Sequence, residues 1–402
     1  MRALSLGVIE GDADAVTGVE VDSRRIRPGD LFVAVLGGEA FLDDARTRDA
    51  AATLVPDDPH AALAALGSAV RARSDARVVA ITGSVGKTST KDILAALLRP
   101  HLNTVAAPRG FNNEIGLPLT LCRIEPETEV VVTEMAMRGP GQIRDLARVA
   151  RPQLGVITSI APVHLEQLGS LENIARAKAE LLEELPAGAV AVLPEDAPEL
   201  EPFVPEGLDV RRFAPPGAEV RDGRTHVRWQ GHEVVFGFAA RHQATNAAAA
   251  LTAAEALGVE PPQEPVEVEF SVWRSQETEL PGGGLLIDDA WNANPVAMRA
   301  ALAHLLERAN GRRTVAILGE MAELGPEAPR YHREVKRAAE GVGLVLGVGA
   351  LAREYGPDEW VPTAAEAVEV ALDLVQPGDA ILVKGSRSVG LEVVAEALAA
   401  GA

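Results

Sequence analysis

The feature that most constrains the fold is a segment near residue 80 where an apolar run, a glycine-containing loop and a helical pattern follow one another. Residues 78–81 read Val-Val-Ala-Ile, which is typical of a buried strand, and residues 92–98 carry the apolar spacing of a helix. Between them lies Thr-Gly-Ser-Val-Gly-Lys-Thr, residues 82–88. The segment therefore predicts a strand, a tight loop and a helix in direct succession.

Such a loop can hold a phosphate group. Its backbone N–H groups and the positive end of the following helix face one point, to which Lys87 adds charge and Thr88 a hydroxyl for Mg²⁺. The loop is shorter than the usual P-loop, because Ile81 stands where the first glycine is expected. The alternative is an ordinary turn between a strand and a helix, in which the glycines only allow a tight backbone conformation. We predict a nucleoside triphosphate site formed by Gly83, Ser84, Val85, Gly86, Lys87, Thr88 and Ser89.

Composition limits the classes of function. The 402 residues carry a formal net charge of −20, which disfavours nonspecific nucleic-acid binding and indicates small-molecule partners. Cys122 is the single cysteine, so neither an intramolecular disulfide nor a thiolate zinc cluster is possible. No apolar run predicts a membrane span or a signal peptide, and we expect a cytoplasmic protein.

Apolar runs alternate with helical patterns along most of the chain, which predicts mostly parallel sheets covered on both faces. Residues 225–238 are an exception and indicate an antiparallel hairpin. The proline-rich residues 261–265 mark a boundary. We predict an α/β protein with three domains, at 1–76, 77–262 and 263–402.

Three residues of the middle segment are candidates for chemistry. Glu134 follows the apolar residues 130–132, and ligands of parallel sheets collect where strands end, although a surface carboxylate would also fit there. His164 follows another strand pattern, where a lone histidine is often structural. Lys178 occupies an apolar position of a helix that Ser170 opens. Such a lysine either extends its ammonium to solvent or, when desolvated, offers a neutral amine.

Together these motifs resemble the Mur ligase family of ATP-dependent amide ligases. The resemblance includes the loop at 82–88, the Phe-Asn-Asn-Glu-Ile-Gly-Leu-Pro sequence at 111–118, Glu134, His164 and Lys178. It extends to Asp-Ser-Arg at 22–24 and to three C-terminal segments, 288–295, 318–325 and 383–388. The resemblance implies a small N-terminal α/β UDP-binding module, a central P-loop ATPase domain and a C-terminal Rossmann-like domain.

The family transfers the γ-phosphoryl group of ATP to a substrate carboxylate, and an amine then attacks the acyl phosphate. The C-terminal segments are most similar to the branch whose substrates are UDP-N-acetylmuramoyl-tripeptide and D-alanyl-D-alanine, in peptidoglycan precursor synthesis. The resemblance implies ATP and two Mg²⁺ ions as cofactors, with a monomeric enzyme as the expected state. It also implies that Lys178 is carbamylated, which turns a cation into an oxygen ligand for a hard metal.

The resemblance assigns a role to each candidate residue. Lys87 contacts the β- and γ-phosphates; Thr88 and Glu134 bind one Mg²⁺, and His164 and Lys178 belong to a second. The remaining assignments are Asn246, Arg274 and Asp289 for the nucleotide, and Ser23, Arg24, Asn112, Asn113, Asn292, Lys384 and Arg387 for the substrates.

Other functions fit the sequence less well. A ligase that adds the third amino acid would show an Asp-Asn-Pro-Arg type motif in its last domain, and a ligase of folates would lack the Asp-Ser-Arg module. A P-loop switch or nucleotide sensor has no need for Glu134, His164 and Lys178 together. The sequence therefore favours the ligase.

Overall fold

The computed structural model describes residues 6–11, 13–163, 165–271 and 276–401. Over these residues the chain forms four β-sheets. His164 and Arg274, both predicted to belong to the site, lie outside the described residues.

The first sheet has four strands in the order β1-β4-β3-β2, of which β1 pairs antiparallel and the others parallel. A long helix, α2, leads from it to the next sheet and is held there by Arg71, whose buried Nε donates to the carbonyl oxygen of Ala150 at 3.0 Å. The elements are β1 (Gly7–Glu10), β2 (Gly18–Glu20), β3 (Asp30–Val33), α1 (Leu42–Thr47), β4 (Ala52–Pro56) and α2 (Pro59–Arg71).

The second sheet is parallel throughout, with six strands in the order β10-β9-β8-β5-β7-β6. Residues 78–81 of its central strand are fully buried, because helices cover both faces as the sequence predicts. Its elements are β5 (Arg77–Thr82), α3 (Lys87–Leu98), β6 (Thr104–Ala106), α4 (Gly116–Leu121), β7 (Val130–Glu134), α5 (Gln142–Ala150), β8 (Leu154–Ile157), α6 (Leu165–Leu168), α7 (Leu171–Glu183), β9 (Val190–Pro194), β10 (Asp209–Phe213) and α8 (Ala244–Ala256).

A small antiparallel sheet packs against α3 and α8 through apolar side chains such as Val227, Trp229 and Phe236. It contains the predicted hairpin, which is confirmed, and one further strand that the sequence did not indicate. The strands are β11 (Gly217–Arg221), β12 (Arg224–Trp229) and β13 (His232–Phe236).

The fourth sheet has six strands in the order β14-β15-β19-β16-β17-β18, parallel except for the edge pair β14 and β15. Its helix α9 starts at a clear signal: Pro295 occupies the first turn, and Asn294 Oδ1 accepts from the N–H of Ala297 at 2.9 Å. The elements are β14 (Gln276–Leu280), β15 (Gly284–Asp289), α9 (Pro295–Arg308), β16 (Thr314–Gly319), α10 (Ala328–Ala338), β17 (Leu344–Val348), β18 (Glu359–Val361), α11 (Ala364–Leu374), β19 (Ala380–Lys384) and α12 (Glu392–Gly401).

Each predicted segment thus contains a large sheet of its own, which makes the α/β fold class correct. The exact boundaries at about residues 76 and 262 stay a prediction. Within the described ranges, no helix is both long and apolar enough to cross a bilayer.

Candidate active site

The loop after β5 can be built only with glycines at two positions. Gly83 has a φ of +146°, and a Cβ there would lie 1.9 Å from Thr158 Oγ1. Gly86 has a φ of +87°, and a Cβ there would lie 2.1 Å from Asn246 Oδ1. The second contact brings an amide from α8 against the turn where α3 begins.

Side chains on both sides of the loop fix its path. Ser84 Oγ donates to the carbonyl oxygen of Ala161 at 3.0 Å, and Ser159 Oγ accepts from the N–H of Val85 at 2.9 Å. Lys87 curls back, so that its Nζ donates to the carbonyl oxygen of Gly83 at 2.8 Å. The hydroxyl-bearing Thr88 follows it in the first turn of α3 and is buried. The loop is therefore held in one conformation, and the Lys87 side chain folds back over it.

A cavity of about 400 Å³ opens beside this loop. One wall is the loop itself with residues 158–161 that follow β8, and another comes from α8 and the residues before it. The third wall belongs to the C-terminal sheet, from the turn after β15 and the start of α9. Wall residues that were not predicted from the sequence include Thr158, Ser159, Asp196, His242, Gln243, Thr245, Asn294, Ala297 and Ala300.

His242 shows why some residues of these walls were not predicted. It lies two residues before Ala244, where α8 starts, and its ring meets the edge of the His304 ring from α9 at a centroid distance of 4.9 Å. Burial, together with His304, lowers the pKa of His242 to about 3, so the ring is neutral. Only the packing of two distant helices creates this environment, and no local pattern signals it.

Glu134 ends strand β7 beside the strand that leads into the loop, where it pairs in register with Ile81. Its side chain is buried, with 3% of the residue exposed, and Oε1 accepts from Asn112 Nδ2 at 2.8 Å. The carboxylate is therefore not a surface group. Asn113 Oδ1 accepts from the N–H of Gly116, the first residue of α4, at 2.9 Å.

Lys178 lies on α7, whose start at Ser170 is confirmed by a hydrogen bond from the N–H of Asn173 to Ser170 Oγ at 3.2 Å. The lysine is 2% exposed, so its ammonium does not extend to solvent. Burial lowers the pKa of Lys178 well below its usual value, and the charge of Lys87 lowers it further. The structure therefore favours the second of the two alternatives, a desolvated amine near Lys87.

The donor atoms of this region fit a hard cation in type. Thr88 and Glu134 offer a hydroxyl and a carboxylate oxygen, which suit Mg²⁺. Among the described residues, which do not include His164, no group of three or more His, Cys, Asp and Glu side chains forms a metal site. A complete metal shell would thus need a ligand from Lys178, His164, phosphate or water.

Two predicted residues of the C-terminal sheet form a buried ion pair at the cavity. Lys384 Nζ lies 2.6 Å from Asp289 Oδ2 and donates to the carbonyl oxygen of Asn292 at 2.9 Å. Asn246, on the opposite wall, donates from Nδ2 to Gln243 Oε1 at 2.6 Å. The structure therefore brings Asn246, Asp289, Asn292 and Lys384 together around one cavity.

Arg387 lies near this turn but is exposed, and its guanidinium is ion-paired with Glu392. The Arg387 guanidinium carbon also lies 5.6 Å from the centroid of the Trp291 ring. Arg109, from the segment between β6 and α4, approaches the same ring at 4.1 Å. Trp291 therefore joins the central segment to the C-terminal sheet.

Ser23 and Arg24 lie in the N-terminal sheet region and do not line the cavity. Ser23 is buried and hydrogen-bonds to Asp44, which lowers the pKa of Asp44. Arg24 is exposed and lies 2.8 Å from Asp22 Oδ2, and its hydrogen bond lowers the pKa of Asp22 to about 2. Their predicted contact with a UDP-sugar stays a prediction.

Comparisons with known proteins cover almost the whole chain. The Mur ligase middle domain matches residues 81–254, and the Mur ligase, glutamate ligase domain matches residues 273–387. The UDP-N-acetylmuramoyl-tripeptide–D-alanyl-D-alanine ligase of Mycobacterium tuberculosis is 35% identical, over 96% of this chain and 92% of the relative. The ligase of the same name from Escherichia coli is 32% identical, over 98% and 96%.

Solved structures are similar over the same extent. MurF of Acinetobacter baumannii superposes with a TM-score of 0.82 and 27% identity, over 95% of this chain and 93% of that one. MurF ligase of Thermotoga maritima in complex with ADP gives 0.80 and 27%, over 97% and 99%. The chain thus belongs to the Mur ligase family, in the branch of the UDP-N-acetylmuramoyl-tripeptide–D-alanyl-D-alanine ligases.

Proposed function

We propose that this chain joins D-alanyl-D-alanine to UDP-N-acetylmuramoyl-tripeptide and converts ATP to ADP and phosphate as it does so. The observation that carries the proposal is the cavity at the phosphate-type loop, in a chain that matches the named ligases from end to end. A bound nucleotide there would lie between the central and C-terminal sheets. We also propose a monomer that acts in the cytoplasm, where ATP and nucleotide-linked sugars are made.

The reaction has two steps. An oxygen of the tripeptide carboxylate attacks the γ-phosphorus of ATP, the bond to ADP breaks, and an acyl phosphate forms. The amine of D-alanyl-D-alanine then attacks the acyl carbon, an amide bond forms, and phosphate leaves with the loss of a proton from the nitrogen. Phosphoryl transfer of this kind depends on positioning and on neutralisation of charge.

The residues around the loop suit that task. Lys87 would release the carbonyl of Gly83 and bind the β- and γ-phosphates, while Gly83–Ser89 supply N–H groups. Thr88 and Glu134 would hold one Mg²⁺, which supplies positive charge against the phosphates. The Asn112 amide, hydrogen-bonded to Glu134, would orient that carboxylate.

Lys178 is proposed to react with CO₂. The neutral amine attacks the carbon and one proton leaves, which gives an anionic carbamate. Its burial and lowered pKa support this step, because only an unprotonated amine is nucleophilic. The carbamate and His164 would then serve a second Mg²⁺.

The remaining residues keep the roles that the family resemblance gives them. Asn246 and Asp289 are at the cavity and suit the adenosine part of ATP. Arg274, which is outside the described residues, is proposed for the same part. Ser23, Arg24, Asn112, Asn113, Asn292, Lys384 and Arg387 are proposed for the UDP-sugar peptide and the dipeptide. The Asn113 side chain is hydrogen-bonded to the start of α4, so its support for the substrate would come through the position of Asn112.

The proposal is tested by the dependence of ADP formation on substrates. We expect ADP and phosphate only when UDP-N-acetylmuramoyl-tripeptide and D-alanyl-D-alanine are both supplied, because the acyl phosphate must form and then be consumed. A coupled ADP assay and mass spectrometry of the product measure this. Brisk ATP hydrolysis without either substrate would favour a nucleotide switch and sink the ligase assignment, as would turnover with folate and glutamate.

The carbamate has its own test. Lys178→Ala is expected to abolish activity, and a short carboxylic acid or high bicarbonate should restore part of it by replacing the lost oxygen ligand. Carbon-13 NMR of wild-type protein equilibrated with labelled bicarbonate should show a carbamate signal that Lys178→Ala lacks. Full activity of Lys178→Ala, or no such signal in the wild type, would remove the carbamate.

A further inference from the structure

Two consecutive charged residues in the second turn of α3 form a buried ion pair that the proposed reaction does not use. Lys91 Nζ lies 2.5 Å from Asp92 Oδ1, and the two side chains are 4% and 9% exposed. Neighbouring residues on a helix point in different directions and do not normally face each other. Further partners must therefore draw these side chains together.

The partner of Lys91 is a backbone group in the segment between β6 and α4. Its Nζ donates to the carbonyl oxygen of Ala107 at 2.9 Å. Ala107 follows β6 and opens the segment that leads to Arg109 and to Asn112, whose amide reaches Glu134. Lys91 thus fastens the beginning of this segment, residues 107–113, to the helix that starts at the phosphate-type loop.

The partner of Asp92 lies on the other side. Its Oδ2 accepts from the N–H of Ser271 at 2.9 Å, and its Oδ1 is 3.4 Å from Ser271 Oγ. Ser271 belongs to the connection that leads into β14 and the C-terminal sheet, which supplies Asp289 and Lys384 to the cavity wall. Asp92 thus fastens Ser271, the last described residue before β14, to the same turn of α3.

We propose that Lys91 and Asp92 are positioning residues that set both neighbouring parts of the site relative to the phosphate-type loop. Lys91 positions segment 107–113 toward the UDP-sugar peptide, and Asp92 positions the C-terminal wall toward the nucleotide. The inference rests on the proposed function for the identity of these two ligands. The geometry on which it stands is independent of that function.

The division of labour predicts opposite effects of two variants. Lys91→Met should weaken binding of UDP-N-acetylmuramoyl-tripeptide by about tenfold or more and change ADP binding by less than about threefold. Asp92→Ala should show the reverse pattern. Calorimetric titration of the full chain, with each ligand alone, measures both dissociation constants without turnover.

Hydrogen exchange gives a second readout. Lys91→Met should raise amide exchange within residues 107–113, and Asp92→Ala should raise it at Ser271, whose N–H loses its acceptor. The control is Asp379→Ala, which breaks an ion pair with Arg313 in the C-terminal segment; Asp379 is as buried as Asp92, whereas Arg313 is 34% exposed. It should lower thermal stability and leave both dissociation constants unchanged.

Equal weakening of both ligands by each variant would overturn the proposal, as would lower stability with unchanged affinities. Should a variant fail to fold, Lys91→Arg and Asp92→Glu keep the charges and alter the lengths, and the same opposite pattern is expected on a smaller scale. Wild-type protein that binds ADP but not the UDP-linked peptide would refute the proposed function. The exchange pattern would then still decide whether the pair holds the two segments.

Discussion

Lys178 is unusual because its amine is buried and no carboxylate of the described residues raises its pKa. Burial and the charge of Lys87 both disfavour its protonated form. A group of this kind lowers the stability of the fold at neutral pH, since folding must remove either its proton or its solvent. This loss of stability is consistent with a chemical role for Lys178.

Removal of the buried amine should therefore stabilise the fold. Lys178→Met should raise the free energy of unfolding at pH 7, because methionine has no proton to lose on burial; urea denaturation in bicarbonate-free buffer without Mg²⁺ measures this. The unfolded chain binds a proton that the folded chain lacks between the lowered pKa and the ordinary value of 10.5, so wild-type stability rises with pH across that window.

The Lys178→Met variant should lack this rise. The exposed Lys336 provides the control, because Lys336→Met should retain the wild-type pH profile. A destabilised Lys178→Met variant, or one with an unchanged profile, would show that the amine is charged in the folded protein.

At the scale of elements, the small antiparallel sheet contains two tight turns that can be compared directly. Asp222 and Gly223 connect β11 to β12 with φ of 51° and 74°, and Gln230 and Gly231 connect β12 to β13 with φ of 47° and 83°. Both central residues need positive φ, for which Asp-Gly and Asn-Gly are favoured. Glutamine is not.

We therefore predict that Gln230→Asn stabilises the protein by about 0.5–1 kcal/mol, because asparagine tolerates the left-handed conformation better. The reciprocal change, Asp222→Gln, should destabilise it by a similar amount. Thermal and urea unfolding measure both, and neither variant should change ADP affinity. An unstable Gln230→Asn variant would mean that the glutamine side chain, 3.4 Å from Glu255, contributes more than the turn.

Some strands could be predicted from the sequence and others could not. The buried strands of the two six-stranded sheets were predicted because their apolar runs are continuous, as at residues 78–81. Strand β11 was missed because most of its residues are exposed and charged or small, and β14 because Gln-Glu-Thr-Glu-Leu has the composition of a surface segment. An edge or outer strand leaves little apolar signal.

The residues of the site also differ in how well the sequence predicts them. The loop and Glu134 were predicted because their function depends on a strand end, which is local. His242 and the start of α9 were missed because they meet the loop only after two sheets pack together. The Lys91 and Asp92 pair was missed since its partners are largely backbone groups, which any sequence provides.

At the scale of the whole molecule, net charge opposes the substrates. The chain carries −20, yet ATP and a UDP-linked peptide are anions, so only local cations and helix ends attract them. Long-range repulsion is screened by salt over about 10 Å at 0.1 M, whereas contacts at the loop are screened less.

The association rate of ATP should therefore rise severalfold from low to physiological ionic strength, as stopped-flow binding would measure. Adenosine, which is uncharged, is the control and should show a flat profile. A rate that falls as salt is added would mean that the cations near the cavity dominate the field at a distance.

The surroundings of Trp291 make its fluorescence informative. Its indole stands beside Arg109 from the central segment and Arg387 from its own sheet, and the emission of an indole shifts with nearby charge. The enzyme therefore contains an optical reporter of how closely its sheets approach one another. Trp229, Trp273 and Trp360 also emit, so their replacement by phenylalanine would leave Trp291 as the source of the signal, with no added label.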